Sequence, residues 1–328
     1  MHVFVSRRVP ERVRAELEER FEVDVHDSER PLAHDELLGR VKGRAGLVTM
    51  LSDRVDDELL EAAGPGLRVV ANYAVGVDNV DLVAASRRRV VVTNTPDVLA
   101  RATAELTLAL LLALVRRIAE GDRLVRRGEP WVWAPTFMLS DGVGGKTLGC
   151  VGFGRIGREV GTMASALGMK VAYTNRRGPL ESPFRWLPLA ELLARADVVS
   201  LHCPLTPETH HLIDDASLAA MRAGAYLVNA ARGPIVDERA LARAIARGHL
   251  AGAALDVYER EPEVEEELLG LERVVLTPHL GSATASAREA MGMLCVDALY
   301  AALIEARLPA NAVNPDAWRD WEDDPPGT

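Results

Sequence analysis

The stretch Leu148-Gly-Cys-Val-Gly-Phe-Gly-Arg-Ile-Gly157 carries three glycines at the G-x-G-x-x-G spacing. The apolar run Thr147 to Val151 predicts a buried strand before this turn. The run Arg155 to Leu167 has apolar residues at helical intervals and predicts a helix after it. Because strand, glycine turn and helix occur in this order, the stretch is typical of a dinucleotide-binding turn.

Each glycine has a separate physical role in such a turn. Gly152 permits the tight bend, Gly154 lets the backbone approach a pyrophosphate, and Gly157 lets the helix pack closely on its strand. The helix N-terminus then offers N–H groups and the positive end of its dipole to the phosphates. The stretch therefore favours cofactor binding over a plain glycine-rich turn.

The composition narrows the class of protein. A chain of 328 residues favours two domains, and a net charge of -10 argues against a nucleic-acid surface. The cysteines at positions 150, 203 and 295 lack C-x-x-C spacing, so no metal site is expected and a reducing cytoplasm is favoured. We expect no signal peptide, and the apolar stretch from Leu106 to Val115 is too short to span a bilayer.

Two series of alternating strands and helices follow along the chain. In the first, strands are predicted at 2–6, 21–26, 46–51, 67–72 and 90–93, with helices at 11–20, 56–63 and 81–88. In the second, strands are predicted at 147–151, 170–174, 197–201, 225–229, 251–255 and 273–276. Such βα repeats predict parallel sheets with helices on both faces. The alternation of strands and helices ends at about Asp97, where a long apolar helical pattern begins. A last helix from about 283 to 307 could return to the first domain.

Three segments outside the strands have open interpretations. The loop Asn72 to Asn79 follows a strand, so Gly76 could offer N–H groups to a small anion, or the loop could be an ordinary turn. The loop Gly128 to Gly145 carries Trp131 and Trp133, which could pack on a partner or fold back on their own domain. The acidic tail from residue 314 is expected to fray.

The residues Asn175, Arg176 and Arg177 follow the strand 170–174, about twenty residues beyond the glycine motif. A fold that prefers NAD usually has Asp or Glu here to bind the ribose 2′-hydroxyl. This chain has none, and two arginines suit a 2′-phosphate. The segment therefore favours NADP(H), with NAD(H) as the alternative cofactor.

Arg232, Glu261 and His279 follow successive predicted strands and should lie at one edge of the second sheet. Each alone has an ordinary structural interpretation, but together they suit hydride transfer to a keto acid. A guanidinium can bind the substrate carboxylate and polarise the carbonyl. An imidazolium can donate a proton to the oxygen, and a neighbouring carboxylate favours the charged ring.

These motifs resemble the D-2-hydroxyacid dehydrogenase family, and within it the glyoxylate/hydroxypyruvate reductases. The resemblance extends from Val3 to about Asn314. The motifs that carry it are NYAVGVD at 72–78, NTPDVL at 94–99, VGFGRIG at 151–157, VNAARG at 228–233, DVYEREP at 256–262 and TPHLGSAT at 277–284.

The resemblance implies an enzyme that reduces small 2-keto acids to D-2-hydroxy acids with NAD(P)H. It also implies an α/β fold of two doubly wound parallel-sheet domains. A Rossmann cofactor domain, residues 98–285, would be inserted into a flavodoxin-like substrate domain made of residues 1–97 and 286–328. The family members are homodimers, and no nucleic acid or membrane partner is implied.

Residue by residue, the family implies that Arg232 binds substrate, Glu261 supports the acid and His279 donates the proton. Val75 and Gly76 would bind the substrate carboxylate through their backbone. The expected cofactor contacts outside the glycine turn are Thr103, Arg155, Ile156, Asn175, Arg176, Arg177, Cys203, Pro204, Thr209, Ala230, Ala231, Asp256, His279 and Gly281.

Two alternatives to a glyoxylate reductase stay open. One is another dehydrogenase of the family, such as D-3-phosphoglycerate dehydrogenase, although no regulatory domain is expected after residue 328. The other is a nucleotide-sensing, corepressor-like binding protein. The intact set of Arg232, Glu261 and His279 disfavours a pure binding role.

Overall fold

A computed structural model describes residues 1–318 of the chain. It divides into two compact units, the first formed by Met1–Leu99 and Thr284–Thr328 and the second by Ala100–Ala283. The predicted crossings after residues 97 and 285 each lie two residues from these boundaries. In residues 1–318, no helix combines the length and apolar character that crossing a membrane requires.

Unit 1 is built on a parallel five-stranded sheet of order β2-β1-β3-β4-β5. This is the flavodoxin-like doubly wound order. The strands are β1 (His2–Val5), β2 (Glu22–Val25), β3 (Gly46–Thr49), β4 (Val69–Asn72) and β5 (Val91–Thr93). The helices are α1 (Glu11–Arg20), α2 (His34–Arg40), α3 (Asp57–Ala63), α4 (Leu82–Arg87) and, much later in the chain, α12 (Ala285–Leu303).

Aspartate caps fix the start of two helices of unit 1, and a glycine allows close packing of a third. The side chains of Asp56 and Asp81 accept hydrogen bonds from the first turns of α3 and α4, which is the usual role of an aspartate N-cap. Helix α12 lies against the sheet so closely that a Cβ at Gly46 would lie 2.6 Å from Leu299 Cδ2. The last long helix therefore does return to the first unit, as predicted.

Unit 2 is built on a parallel seven-stranded sheet of order β12-β11-β10-β9-β6-β7-β8. Its strands are β6 (Thr147–Val151), β7 (Lys170–Thr174), β8 (Arg185–Trp186), β9 (Val198–Leu201), β10 (Tyr226–Asn229), β11 (Gly252–Leu255) and β12 (Val274–Leu276). Its helices are α5 (Ala100–Val115), α6 (Ile118–Arg126), α7 (Arg155–Ala166), α8 (Leu189–Arg195), α9 (Asp215–Ala220), α10 (Glu238–Ala246) and α11 (Glu266–Leu269). This is the Rossmann order, and the strand order reverses between β6 and β9, where ligands bind in such sheets.

The predicted fold class, two doubly wound parallel sheets, is confirmed. Two local predictions are wrong. Helix α12 ends at Leu303 instead of residue 307. The tail does not fray from residue 314, because the Asn314 side chain accepts from Val92 N–H at 2.7 Å and donates to the Val90 carbonyl at 3.0 Å. Residues 319–328, which belong to the same prediction, lie outside the described residues.

Candidate active site

In the glycine turn after β6, nearby backbone leaves no room for a side chain at Gly152 or Gly157, whereas the space at Gly154 is open. Gly152 has φ +90°, and a Cβ there would lie 2.5 Å from the backbone nitrogen of Cys203. A Cβ at Gly157 would lie 2.4 Å from the carbonyl oxygen of Gly152, so only glycine allows the helix to pack this closely. A Cβ at Gly154, in contrast, would meet nothing within 4 Å. The backbone at Gly154 is therefore open to a ligand.

Helix α7 starts at Gly154, and no side chain among residues 1–318 caps its N-terminus, the positive end of the helix dipole. Gly154 is its N-cap, and no acidic residue lies in its first turn. Arg155 and Ile156 begin the helix, Arg155 exposed and Ile156 partly buried against the core beneath. Uncapped N–H groups at a helix N-terminus bind phosphate oxygens. The turn and the helix together therefore fit the pyrophosphate of a dinucleotide.

The segment after β7 offers positive charge. Arg176 and Arg177 are exposed, and neither forms an ion pair within residues 1–318. The buried Asn175 Oδ1 has no hydrogen-bond partner, so this position also has an unused acceptor. The segment can therefore bind an anionic group on a ribose.

The loop after β9 is tied together by the hydroxyl of Thr209. That oxygen donates to the Pro204 carbonyl at 2.7 Å and accepts from Thr206 N–H at 2.8 Å. His202 precedes the loop, and its Nε2 lies 2.9 Å from the Ser200 hydroxyl. Burial lowers the pKa of His202 to about 4, so the ring is neutral at ordinary pH. His202 was not among the predicted site residues, although a histidine directly after a strand at this sheet edge was a signal.

Asp256 organises the loop that carries His279. Its buried carboxylate accepts hydrogen bonds from Thr277 Oγ1 at 2.6 Å and from the N–H groups of Leu280 and Gly281 at 2.7 and 2.8 Å. His279 itself has φ +55°, a left-handed conformation that costs a non-glycine residue free energy and that clusters at functional sites. The carboxylate of Asp256 therefore binds this loop on both sides of His279.

Thr103 lies against the same loop. A Cβ at Gly281 would meet both Asp256 Oδ2 and Thr103 Cγ2 at 3.4 Å. Two of the predicted cofactor residues, Thr103 and Asp256, therefore lie around a third, Gly281.

Glu261 and His279 form a direct pair. The distance between Glu261 Oε2 and His279 Nδ1 is 2.9 Å, and Glu261 Oε1 accepts from Tyr258 N–H at 3.2 Å. Burial alone would raise the pKa of Glu261, but the hydrogen bond and charge of His279 outweigh it, with a smaller contribution from Arg232. The pKa of Glu261 is consequently lowered, and the side chain is a carboxylate at neutral pH. Since Nδ1 pairs with Glu261, Nε2 is the ring nitrogen left for a ligand.

Arg232 follows β10 in a loop with fixed backbone. The Asn229 side chain accepts from Ala231 N–H at 3.1 Å and donates to the Arg232 carbonyl at 2.9 Å, and Ala230 lies between them in the chain. The next residue touches the neighbouring loop, because a Cβ at Gly233 would lie only 1.8 Å from the Tyr258 carbonyl carbon. The loops that carry Arg232 and Glu261 are thus in backbone contact.

In unit 1, the loop after β4 presents backbone N–H groups. Asn94 Nδ2 donates to the Val75 carbonyl at 2.8 Å, and Asn72 Nδ2 donates to the Gly76 carbonyl at 2.9 Å. Both carbonyls are therefore turned towards asparagines, and the N–H groups of Val75 and Gly76 donate to no acceptor within residues 1–318. Such a pair suits a small anion. Both asparagines belong to the motifs at 72–78 and 94–99, but this role was not predicted for them.

The fold and this site define a dinucleotide-binding oxidoreductase. Residues 108–281 match the family described as D-isomer specific 2-hydroxyacid dehydrogenase, NAD binding domain. A glyoxylate reductase of Pyrococcus furiosus is 47% identical over 321 residues, which cover 95% of either chain. A solved structure from Thermus thermophilus is 49% identical with a TM-score of 0.91, covering 95% of this chain and 100% of its own.

A third similar protein carries its cofactor. The NADPH-dependent glyoxylate/hydroxypyruvate reductase of Sinorhizobium meliloti, solved with NADP and malonate, is 32% identical with a TM-score of 0.83. The match covers 96% of this chain and 97% of that one. This chain belongs to the D-isomer specific 2-hydroxyacid dehydrogenases, which confirms the resemblance stated above.

Proposed function

We propose that the protein reduces small 2-keto acids, with glyoxylate and hydroxypyruvate as the expected substrates, to D-2-hydroxy acids. The observation that carries this proposal is the pairing of His279 with Glu261 at 2.9 Å beside the loop of Arg232. The activities named for the Pyrococcus and Sinorhizobium relatives support the same substrate class. Unit 2 would hold the cofactor, and the loop after β4 in unit 1 has backbone N–H groups that suit a small anion.

The reduced nicotinamide supplies a hydride to the carbonyl carbon when it is bound. Arg232 binds the substrate carboxylate and polarises the carbonyl. The role proposed for Val75 and Gly76 is to bind a carboxylate through their backbone N–H groups. His279 donates a proton from Nε2 to the carbonyl oxygen. Glu261 remains ionised, which favours the charged ring and fixes its orientation. The pyrophosphate would lie at Gly152, Gly154 and Gly157, for the steric reasons given above.

For the cofactor, we propose a preference for NADPH over NADH. Arg176 and Arg177 are exposed, form no ion pair within residues 1–318, and follow β7 where the ribose 2′ position is expected. No Asp or Glu stands at 175–177 to bind a 2′-hydroxyl. The NADPH-dependent relative supports this proposal, and NADH would serve as the weaker cofactor.

For assembly, we propose a homodimer formed through the loop after α6. Trp131 and Trp133 are 56% and 78% exposed, and Trp131 is stacked on Phe137 of the same loop. Exposed apolar side chains continue onto α6 at Ile118 and Val125. Apolar surface of this kind marks protein contacts. With three free cysteines, we further infer a reducing, cytoplasmic location.

A substrate panel tests the function. Purified protein is assayed with glyoxylate, hydroxypyruvate and phosphohydroxypyruvate, each with NADPH and with NADH, and the configuration of the product is determined. We expect the highest kcat/KM with one of the first two acids and NADPH, and a D product. A preference for phosphohydroxypyruvate would identify a phosphoglycerate dehydrogenase instead. Tight NADPH binding without turnover on any acid would indicate a nucleotide sensor.

A further inference from the structure

The turn that presents Glu261 is anchored at both ends by one buried carboxylate from another element. Glu238 is the first residue of α10 and is 4% exposed. Its Oε1 accepts from Glu259 N–H at 2.7 Å, and its Oε2 accepts from Glu265 N–H at 3.4 Å. Glu259 returns a bond, because its Oε1 accepts from Glu238 N–H at 2.9 Å.

We propose that Glu238 is a positioning residue for the Glu261–His279 pair. By anchoring the turn between Glu259 and Glu265, it sets the direction of the Glu261 carboxylate towards His279 Nδ1. This inference rests on the proposed function, in which Glu261 keeps His279 charged. Glu238 acts through the turn, whereas Glu261 contacts the proton donor directly.

The bonds of the Glu261 side chain run to the start of the turn and to His279, and neither bond reaches α10. Its Oε1 accepts from Tyr258 N–H, which belongs to the start of the same turn, and its Oε2 pairs with His279. The phenol of Tyr258 donates to the Thr277 carbonyl at 2.9 Å and so fixes only the first residue. The carboxylate of Glu238 contacts both ends of the turn, whereas two other groups of α10 each contact one end: Glu238 N–H binds Glu259 Oε1, and Arg239 Nε binds Glu265 Oε2.

Charged groups from several elements surround Glu238. The Glu259 Oε2 lies 3.2 Å from His211 Nε2, in the segment after β9. The Glu265 Oε2 lies 3.1 Å from Arg239 Nε and 3.7 Å from Arg260 Nη2. Burial raises the pKa of Glu238, and the charges of Glu259 and Glu265 add to it, while the two backbone N–H bonds oppose the shift.

Truncation of Glu238 should leave two backbone N–H groups without acceptors and release the turn. A buried donor without a partner is costly, so the turn would rearrange to reach water. The carboxylate of Glu261 would then lose its alignment with His279. Misplacement by about 1 Å at a catalytic group costs roughly 100-fold in rate.

The test compares Glu238→Ala with wild type in glyoxylate reduction across pH. We expect kcat to fall roughly 10- to 100-fold, with the KM for NADPH nearly unchanged. The alkaline limb of the profile should move to lower pH, because the proton donor loses its aligned carboxylate. Glu263→Ala is the matched control, since the side chain of Glu263 lies in the same turn, is 75% exposed and has its Oε2 4.0 Å from Arg260 Nε. It should leave kcat and the pH profile unchanged.

A double-mutant cycle separates positioning from a general loss of structure. In the Glu261→Gln background, Glu238→Ala should lower kcat by less than about 3-fold, because the two residues act in series. Glu238→Gln keeps one acceptor oxygen for Glu259 N–H, so it should give an intermediate kcat. If Glu238→Ala does not fold, the same comparison of kcat is made with Glu238→Gln in the wild-type and Glu261→Gln backgrounds.

The inference is overturned if the Glu238 variants leave the alkaline limb in place, or if they lower kcat by the same factor in both backgrounds. Its failure can be told apart from failure of the proposed function. If Glu261→Gln alone leaves the pH profile unchanged, the proposed pairing of acid and carboxylate is wrong. If Glu261→Gln moves the limb and the Glu238 variants do not, only the positioning role is wrong.

Discussion

Replacement of Glu261 by glutamine keeps the shape of the side chain and removes its charge, which tests the proton donor directly. The Glu261–His279 hydrogen bond involves charged groups, and such a bond contributes about 1.5–3 kcal/mol. The two side chains are 37% and 29% exposed, so solvent screening reduces this to about 1 kcal/mol. A loss of about 1 kcal/mol in the transition state corresponds to a roughly 5-fold lower rate. At alkaline pH, kcat/KM for keto-acid reduction should therefore fall roughly 5-fold, and the alkaline limb of the profile should move to lower pH.

The direction of this shift follows from proton consumption in carbonyl reduction. The donor must carry its proton before the hydride arrives, so activity falls as pH rises through the point where the donor is deprotonated. The carboxylate favours the charged donor, and removing it brings that point to lower pH. Because the pKa of Glu261 is lowered, its carboxylate acts throughout the neutral and alkaline range.

The assay is kcat/KM for glyoxylate at saturating NADPH, followed by the absorbance of the reduced nicotinamide from acid to alkaline pH. Glu263→Gln is the control, because it makes the same change on an exposed glutamate of the same turn. The affinity for NADPH, measured by fluorescence titration, should stay within about 2-fold of wild type, since the change is local. An unmoved alkaline limb in Glu261→Gln would refute the pairing and leave Glu261 with a structural role.

Four further predictions concern the proton donor, the choice of cofactor, the glycine turn and the dimer. His279→Ala should lower turnover roughly 10²- to 10⁴-fold with cofactor affinity retained, as measured by steady-state kinetics and titration; retained turnover would exclude it as the acid. The double change of Arg176 and Arg177 to Ala should raise the KM for NADPH roughly 10- to 100-fold and that for NADH little, because charge-assisted bonds to a phosphate are lost; equal effects would mean a solvated turn. Gly157→Ala should weaken binding of both cofactors in a fluorescence titration, since its Cβ would lie 2.4 Å from a backbone oxygen; unchanged affinity would contradict the role of the turn. Light scattering should give a dimer mass for the wild type and a smaller average mass for Trp133→Ser, whereas a monomeric wild type would exclude the dimer.

Several elements were predictable from local sequence because the local signal was strong. The strands Thr147–Val151 and Lys170–Thr174 and the helix Glu11–Arg20 have their predicted bounds. Their apolar residues recur at the periods that buried strands and amphipathic helices require. The helices α2, α8, α9, α10 and α11 and the two-residue strand β8 were not predicted. Most of these helices have four to seven residues, which contain too few turns for a periodic signal.

The break in the long helical segment after Asp97 could not be predicted from the periodicity of apolar residues. Apolar residues extend to Val115 and resume at Ile118, yet the structure has two helices, α5 and α6. Arg117 has φ +56°, a left-handed conformation that breaks the helix between them. A positive φ at an arginine has no compositional signature, since the backbone there is dictated by the surrounding contacts.

By itself, the sequence determined the class of the fold, the glycine turn and the residues that could carry the chemistry. Strand periodicity and the parallel arrangement of βα repeats place Arg232, Glu261 and His279 at one sheet edge without any coordinates. Only the tertiary structure decided how those side chains are used. It pairs Glu261 with His279 Nδ1, commits the carboxylate of Asp256 to the loop beneath His279, and sets Glu238 behind the turn of Glu261. These roles depend on hydrogen bonds between residues 18 to 27 positions apart. Sequence periodicity reports which face of an element is buried, whereas the partner of a buried carboxylate is chosen by the packing of separate loops.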